Sequence, residues 1–431
     1  MDMKEAASAN SRIMTLLVAM AAAVFLISRV CRMDACMGAP GPAQRATPPK
    51  VFILNPDQLV LAREMARKGD KAILPAFKQL VSHAQSVMDK GPFTVTKKPF
   101  DPPSKDRHDY MSLSIYWWPN PVTKIPYIRR DGEVNPEVEK FDGPKLLAMA
   151  STVEALSQAY FFTGDERYAY RATILLRAWF LDEKTRMNPN MNFAQGIPGI
   201  CEGNRSGIIE SVTLATQVVD SVGLIQTSKS WKRKDHEELQ KWFGEYMNWL
   251  QSNPMAKSEC EAENNHGVWY DAQVCAYAMF IDKPEMAKAV IEKRSGNRII
   301  RQVKPDGSQP EELARTKSFS YSIYNLDAMF TIAAVGDKVG ADLWNYKSED
   351  GRGMRKALDY LTPYVNPQKK WTMKQIVPFD NACLYPFLRK AAIAYKDPSY
   401  ERMAQQLEAQ SKGALDAHRV NLLYPRAQGG K

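Results

Sequence analysis

From Val51 to the last turn before the C-terminal tail, apolar residues recur at spacings of three and four in one segment after another. That period belongs to helices with one buried face. Asn55-Pro56-Asp57 opens the first of them over Gln58 to Arg67, as a cap followed by proline just inside the helix. Leu74 to Met88 continues the pattern. After an interruption come Lys145 to Phe162, Asp165 to Phe180, Ile208 to Ile225, Asp235 to Ser252, His266 to Ile281, Pro284 to Arg301, Glu311 to Val335, Gly353 to Leu361, Asn381 to Tyr395 and Ser399 to Ser411. Thr163-Gly164 is a stop followed by a start, so consecutive helices pair as hairpins. Alternating β-branched runs and hairpin dipeptides are sparse. Helix hairpins in series, without the fixed period of an open repeat array, predict an all-α fold: an (α/α) toroid or incomplete barrel. The interruption, from Gly91 to Pro144, is rich in Pro, Tyr, Trp and charge and has no stable period. A loop of that length inside a compact domain is more often functional than idle.

Ahead of the helices the chain divides in two. Residues 1–30 contain the apolar run Met14 to Ser28 after Lys4 and Arg12, short for a membrane span and suited to a signal peptide. Residues 31–50 are rich in Ala, Gly and Pro and read as a linker, leaving 51–431 as one domain. Export to the periplasm or the medium is expected, with an N-terminal membrane anchor as the alternative. No second apolar run of spanning length follows. Cys201, Cys260, Cys275 and Cys383 fit no zinc spacing, and pairing cannot be read from their positions. No metal or other cofactor is expected. Lysine and arginine exceed the acidic residues, 58 to 48. The excess is spread out, often beside Trp and Tyr, rather than gathered into a basic arm. That distribution points to an anionic polymer and away from nucleic acid.

Three stretches carry chemistry. Glu263-Asn264-Asn265-His266-Gly267-Val268-Trp269-Tyr270 sets two amides and an imidazole at a helix start, where an asparagine also serves as a cap. Arg315 follows the Asp306-Gly307 turn, and Tyr321 and Tyr324 follow it on the same predicted helix. The third stretch is aromatic: Tyr110, then Tyr116-Trp117-Trp118-Pro119-Asn120, then Tyr127-Ile128-Arg129-Arg130. Adjacent tryptophans in a proline-bounded loop are poor core material. Their faces stack on sugar rings, while arginines pair with carboxylates. Arg205, in Gly203-Asn204-Arg205-Ser206 before a helix, is a further anion-facing candidate.

Taken together, Asn-Asn-His-Gly followed by an aromatic, the Glu-Leu-Ala-Arg segment with its tyrosine-rich continuation, and the Ser112 to Pro121 and Pro126 to Glu137 stretches resemble toroidal alginate lyases. These are polysaccharide lyase family 5 and, more closely, family 38, whose members act on alginate or glucuronan. The resemblance spans roughly Ser104 to Ala394. It implies an (α/α) barrel and places the family's asparagine and histidine on Asn265 and His266 and its arginine on Arg315. The catalytic tyrosine falls on Tyr321 or Tyr324, with Tyr321 favoured by its distance from His266. Asn264, Tyr110, Tyr116, Trp117, Trp118, Arg129, Arg130, Arg205, Trp269 and the second tyrosine are the expected substrate contacts.

The reaction so implied is β-elimination at a uronic acid. The C5 proton of a uronate is a weak acid because the carboxylate already carries charge, so that charge must be neutralised first. Amide, imidazole and guanidinium donors would do this. A base then takes the C5 proton, and an acid protonates the C4 oxygen as it leaves. Tyr321 could serve as both if cations lower its pKa; alternatively His266 is the base and Tyr321 the acid. Two other readings stand beside it. A glycoside hydrolase would need a carboxylate pair drawn from Glu210, Asp271, Glu311 and Glu312. A non-catalytic polysaccharide-binding protein would need only the tryptophan loop.

Overall fold

The computed structural model describes residues 48–426. The predicted leader and most of the linker therefore lie outside the described residues. Within them the helices form an inner and an outer layer, distinguishable by how much of each surface is covered. The outer helix Arg233–Ser252 buries one stripe only, including Leu239, Trp242, Phe243, Tyr246 and Leu250. The inner helix Asn265–Phe280 buries every residue except His266 and Met279. Gly143–Thr163 and Ser318–Val339 are likewise covered around most of their girth. Such all-round burial requires neighbours on every side and marks the wall of a toroid.

The inner wall can be followed by contact. Gly143–Thr163 packs on Val219–Ile225, which touches Asn265–Phe280, which in turn lies along Ser318–Val339. Ser318–Val339 meets Tyr385–Ala394 through the Phe330–Phe387 rings and the Asp327–Lys390 pair. Val420–Leu423 then packs on Pro56–Arg67, which returns to Gly143–Thr163. The turns between hairpins follow local chemistry. Gly164 closes its helix at φ +74°, and Asp165 caps the next by accepting from the Arg167 N–H. Asn55 caps Pro56–Arg67 in the same manner. At the N-terminal end, Asp220 accepts the backbone N–H groups of Phe52, Ile53 and Leu54 and pins this strap to the wall.

Several expectations change in detail. The run expected as Ile208 to Ile225 is one continuous helical stretch, but it passes through a 3₁₀ turn and a π turn before its α segment. Contrary to the sequence reading, Arg205–Ile225 is long and apolar enough to cross a membrane. Of its most apolar 18-residue window 78% is buried in the fold, as befits a core helix. The helix expected over Glu311 to Val335 is two pieces, Pro310–Leu313 and Ser318–Val339. The stretch expected to be irregular carries short strands: β1 (Met111–Leu113), β2 (Trp117–Asn120) and β3 (Lys124–Arg129). β2 and β3 form an antiparallel hairpin, and β1 pairs in parallel with β4 (Phe193–Gly196). All four remaining cysteines are free thiols.

Candidate active site

The break at Ala314–Lys317 builds the centre of the site. Leaving the helix there swings Arg315 toward the hairpin end at Asp131 and lets the chain restart with Tyr321 one turn into Ser318–Val339. Arg315 Nη2 donates to the Tyr321 hydroxyl at 2.7 Å and to Asp131 at 2.7 Å. Its guanidinium lies over the Tyr321 ring, 3.8 Å from the centroid. The Tyr321 hydroxyl donates in turn to that of Tyr116, 3.0 Å away at the base of the hairpin. Asp131 also accepts from the Thr316 backbone N–H and hydroxyl. Gly132 makes this approach feasible. It sits at φ +82°, and a Cβ there would come within 2.5 Å of the Thr316 hydroxyl and 2.8 Å of Ile376.

The second half of the site is the start of Asn265–Phe280. Asn264 caps the helix through its side-chain oxygen, accepting from the His266 N–H. The capping reading is therefore correct for Asn264. The Asn265 backbone N–H and Nδ2 both donate to the buried Glu312 carboxylate, at 2.7 Å each. A carboxylate accepts only, so the Asn265 amide is fixed with its nitrogen toward Glu312. Its Oδ1 is buried and has no partner. His266 Nδ1 is hydrogen-bonded to Glu259, whose carboxyl is almost fully buried, and the imidazole itself is about one-fifth exposed. Glu259 is carried by Pro254–Cys260, a short helix not foreseen from the sequence. Its signal was present: Asn253-Pro254 repeats the cap-then-proline pattern of Asn55-Pro56, and Asn253 does cap the helix.

Glu312 therefore joins the two motifs, holding Asn265 three residues from Arg315. Its carboxyl is raised by burial and pulled back by the Asn265 donors, with Arg315 and His266 also near enough to act on it. Burial alone would raise Asp131 too, but Arg315 and Thr316 outweigh it and hold that carboxyl well below the usual range. At Tyr321 burial wins. The phenol is pushed far above its ordinary value, and the pull of Arg315, whose charge Asp131 already compensates, does not reverse it. The condition set for Tyr321 as base, that cations lower its pKa, is therefore not met, and the phenol holds its proton.

Other expected contacts divide. Tyr116, Trp117, Trp118, Arg129 and Arg130 lie on the hairpin. Trp118 is partly exposed, donates its indole N–H to the Glu133 carbonyl at 2.9 Å, and carries the Arg130 guanidinium 5.0 Å above its ring. Tyr110 and Trp269 are corrected: both have no exposed surface. Tyr110 donates to the half-buried Glu210, and Trp269 packs against Tyr324 with ring centroids 5.0 Å apart. The half-buried Tyr324 thus packs its ring on Trp269 with Glu259, Glu312 and Tyr116 near its phenol, whereas Tyr321 alone hydrogen-bonds Arg315 and Tyr116. Arg205 is exposed at the start of the 3₁₀ turn Arg205–Ser211, which packs on Pro254–Cys260. Of the carboxylates a hydrolase would need, Glu312 is buried on the Asn265 donors, Asp271 is buried between Arg294 and Arg298, and Glu210 is half-buried on donors from Tyr110 and Ser112. Only Glu311 is exposed.

Residues 94–371 match a family model described as alginate lyase. No curated protein matches the chain. Among solved structures, an alginate lyase from Bacteroides ovatus is similar at 35% identity and a TM-score of 0.83, over 88% of this chain and all of its own. Alginate lyase A1-III from Sphingomonas species A1 is similar at 16% identity and a TM-score of 0.52, over 80% of this chain and 95% of its own. A tyrosine-to-phenylalanine variant of A1-III complexed with tetrasaccharide is similar at 15% identity and a TM-score of 0.53, over 89% of this chain and 98% of its own. At such identities the last two speak for the fold alone.

Proposed function

Because the chain belongs to the alginate lyase family, and so is a polysaccharide lyase, we propose that it cleaves alginate or glucuronan by β-elimination, with His266 as base and Tyr321 as acid. The observation that carries this reading is the pair of bridges that join the two motifs: Glu312 to Asn265 on one side, and Arg315 to Tyr321 on the other.

Each role follows from the local chemistry. Asn265 spends one Nδ2 hydrogen on Glu312 and keeps the other for the uronate carboxylate. Arg315 adds positive charge beside it, so that the enolate-like density formed at C5 is stabilised. With Glu259 accepting from Nδ1, the His266 lone pair is at Nε2, free to take the C5 proton. The electrons of the C5–H bond form the C4–C5 double bond, and the C4–O bond breaks toward the leaving sugar. The half-buried, protonated Tyr321 phenol supplies the proton that oxygen needs, and the resulting phenolate is stabilised by Arg315. Trp118, with Arg130 on its ring, suits a sugar face and a carboxylate farther along the chain. An export leader at residues 1–30 fits a polymer met outside the cell.

The test is a screen of alginate blocks, glucuronan and hyaluronan for the ultraviolet chromophore of the unsaturated uronide. Expected is strong absorbance with at least one polyuronate, lost in His266→Ala and Tyr321→Phe. New reducing ends without the chromophore would indicate hydrolysis, and saturable binding without cleavage would indicate a binding protein. Either outcome would overturn the proposal.

A further inference from the structure

Around Arg315 the charges do not balance. Three cations, Arg129, Arg315 and Lys317, gather about one carboxylate, Asp131. Asp131 has no capacity left. One oxygen accepts from Arg129 at 3.0 Å and Arg315 at 2.7 Å. The other accepts from Arg315 Nε, the Thr316 N–H and the Thr316 hydroxyl. A carboxylate offers about four lone-pair positions. Lys317 is left over. Its backbone is held by the bridge to Gln375, and its Cε would lie 3.3 Å from a Cβ at Gly132. The side chain thus runs along the hairpin end, half-buried, with its ammonium 5.7 Å from the centroid of the Tyr116 ring. Among the described residues no carboxylate pairs with it and no acceptor takes its hydrogens. Burial lowers its pKa, Asp131 opposes this and Arg315 adds to it, in keeping with a cation that lacks a counterion of its own. A half-buried ammonium without an anion is costly to keep, and the cost is recovered when a ligand brings the anion.

We propose that Lys317 binds the carboxylate of the uronate unit next to the one that loses its proton. The placement follows from the geometry. On the elimination reading Asn265, His266, Arg315 and Tyr321 act on one sugar, the first and third being linked through Glu312. The Tyr116 hydroxyl bonds Tyr321 while the Lys317 ammonium sits by the Tyr116 ring, which sets Lys317 one ring away from the reacting phenol, a distance that suits the neighbouring unit. This inference rests on the elimination reading above. It makes a further claim, that the enzyme requires a charge on the adjacent sugar and not only on the reacting one.

A contact to a neighbouring unit is made equally in ground and transition states, so its loss raises KM and spares kcat. Lys317→Met is expected to raise KM for a tetrauronate about tenfold, the usual scale for one charge-assisted contact, with kcat within about twofold. Lys317→Arg should restore most of the loss and serves as a folded, charge-matched control. On a fully methyl-esterified polymer the wild type and Lys317→Met should have the same KM. The second arm is calorimetric titration of the tetrauronate into Tyr321→Phe and Tyr321→Phe/Lys317→Met proteins, expected to differ about tenfold in Kd at low salt. Equal Kd values, or a large fall in kcat at unchanged KM, would overturn the assignment of Lys317. A wild type that yields no unsaturated product from any polyuronate would instead sink the elimination reading, and the titration would still judge Lys317.

Discussion

Tyr321 and Tyr324 are one turn apart on the same helix and meet opposite surroundings. The Tyr321 hydroxyl lies between Arg315 and Tyr116, whereas the Tyr324 ring rests on Trp269 and its hydroxyl has no hydrogen-bond partner among the described residues. Tyr321→Phe is therefore expected to cut kcat by roughly 10²–10⁴-fold, the span of a lost general acid. Tyr324→Phe should stay within a few-fold, and initial rates of chromophore formation distinguish them. Part of this was legible in the residues: the Asn265–His266 corner and the Arg315–Tyr321 pair both lie about Glu312. Their carboxylate partners were not. Glu259 and Glu312 stand seven and forty-seven positions from the groups they hold. No local spacing rule links an acid to a donor across such a distance. Tyr110 and Trp269 were misplaced because an aromatic beside a polar motif looks the same in sequence whether it faces a groove or the core.

At the scale of elements, the break between Pro310–Leu313 and Ser318–Val339 and the β2–β3 hairpin are two sides of one contact. The break was invisible because Ala314 to Lys317 contains neither Gly nor Pro; tertiary bonds from Thr316 and Arg315 to Asp131 hold it open. The hairpin was hidden by Pro119 and Pro126 within its strands. Its turn had a readable cue, since the Asn120 side chain accepts from the Val122 and Thr123 N–H groups. The contact predicts that Gly132→Ala is damaging. At φ +82° with Thr316 and Ile376 so close, a methyl must push the hairpin end away and take Asp131 from Arg315. The expected loss of stability is about 1–3 kcal/mol with a larger fall in activity, read from denaturant unfolding and kcat/KM on the same preparation. A variant as active as the wild type would show that Asp131 need not be held.

Over the whole molecule, the succession of helix hairpins was legible because each carries its own period and stop signals, whereas the two layers emerge only from how each helix is buried in the fold. Burial also gives the molecule a pH response. Glu210 is half-buried, and desolvation pushes its carboxyl up to about 7 despite donors from Ser112, Tyr110 and Gln195. A folded-state pKa above the unfolded value means that the native protein holds the proton longer. Stability is then fully present below the unfolded pKa of about 4.5 and declines as pH rises toward about 7, by up to about 3 kcal/mol. Thermal unfolding across that window should show the slope, and Glu210→Gln should flatten it. The same unevenness of burial has a kinetic consequence. The inner helices are sealed, while the hairpin that contributes Tyr116 and Asp131 ends in Val122 and Ile125, 85% and 56% exposed. The part of the reaction centre carried by the rim is thus the first to fray on heating. Activity should fade at temperatures where the circular dichroism of the barrel has not yet changed, and cooling from that point should restore it without refolding.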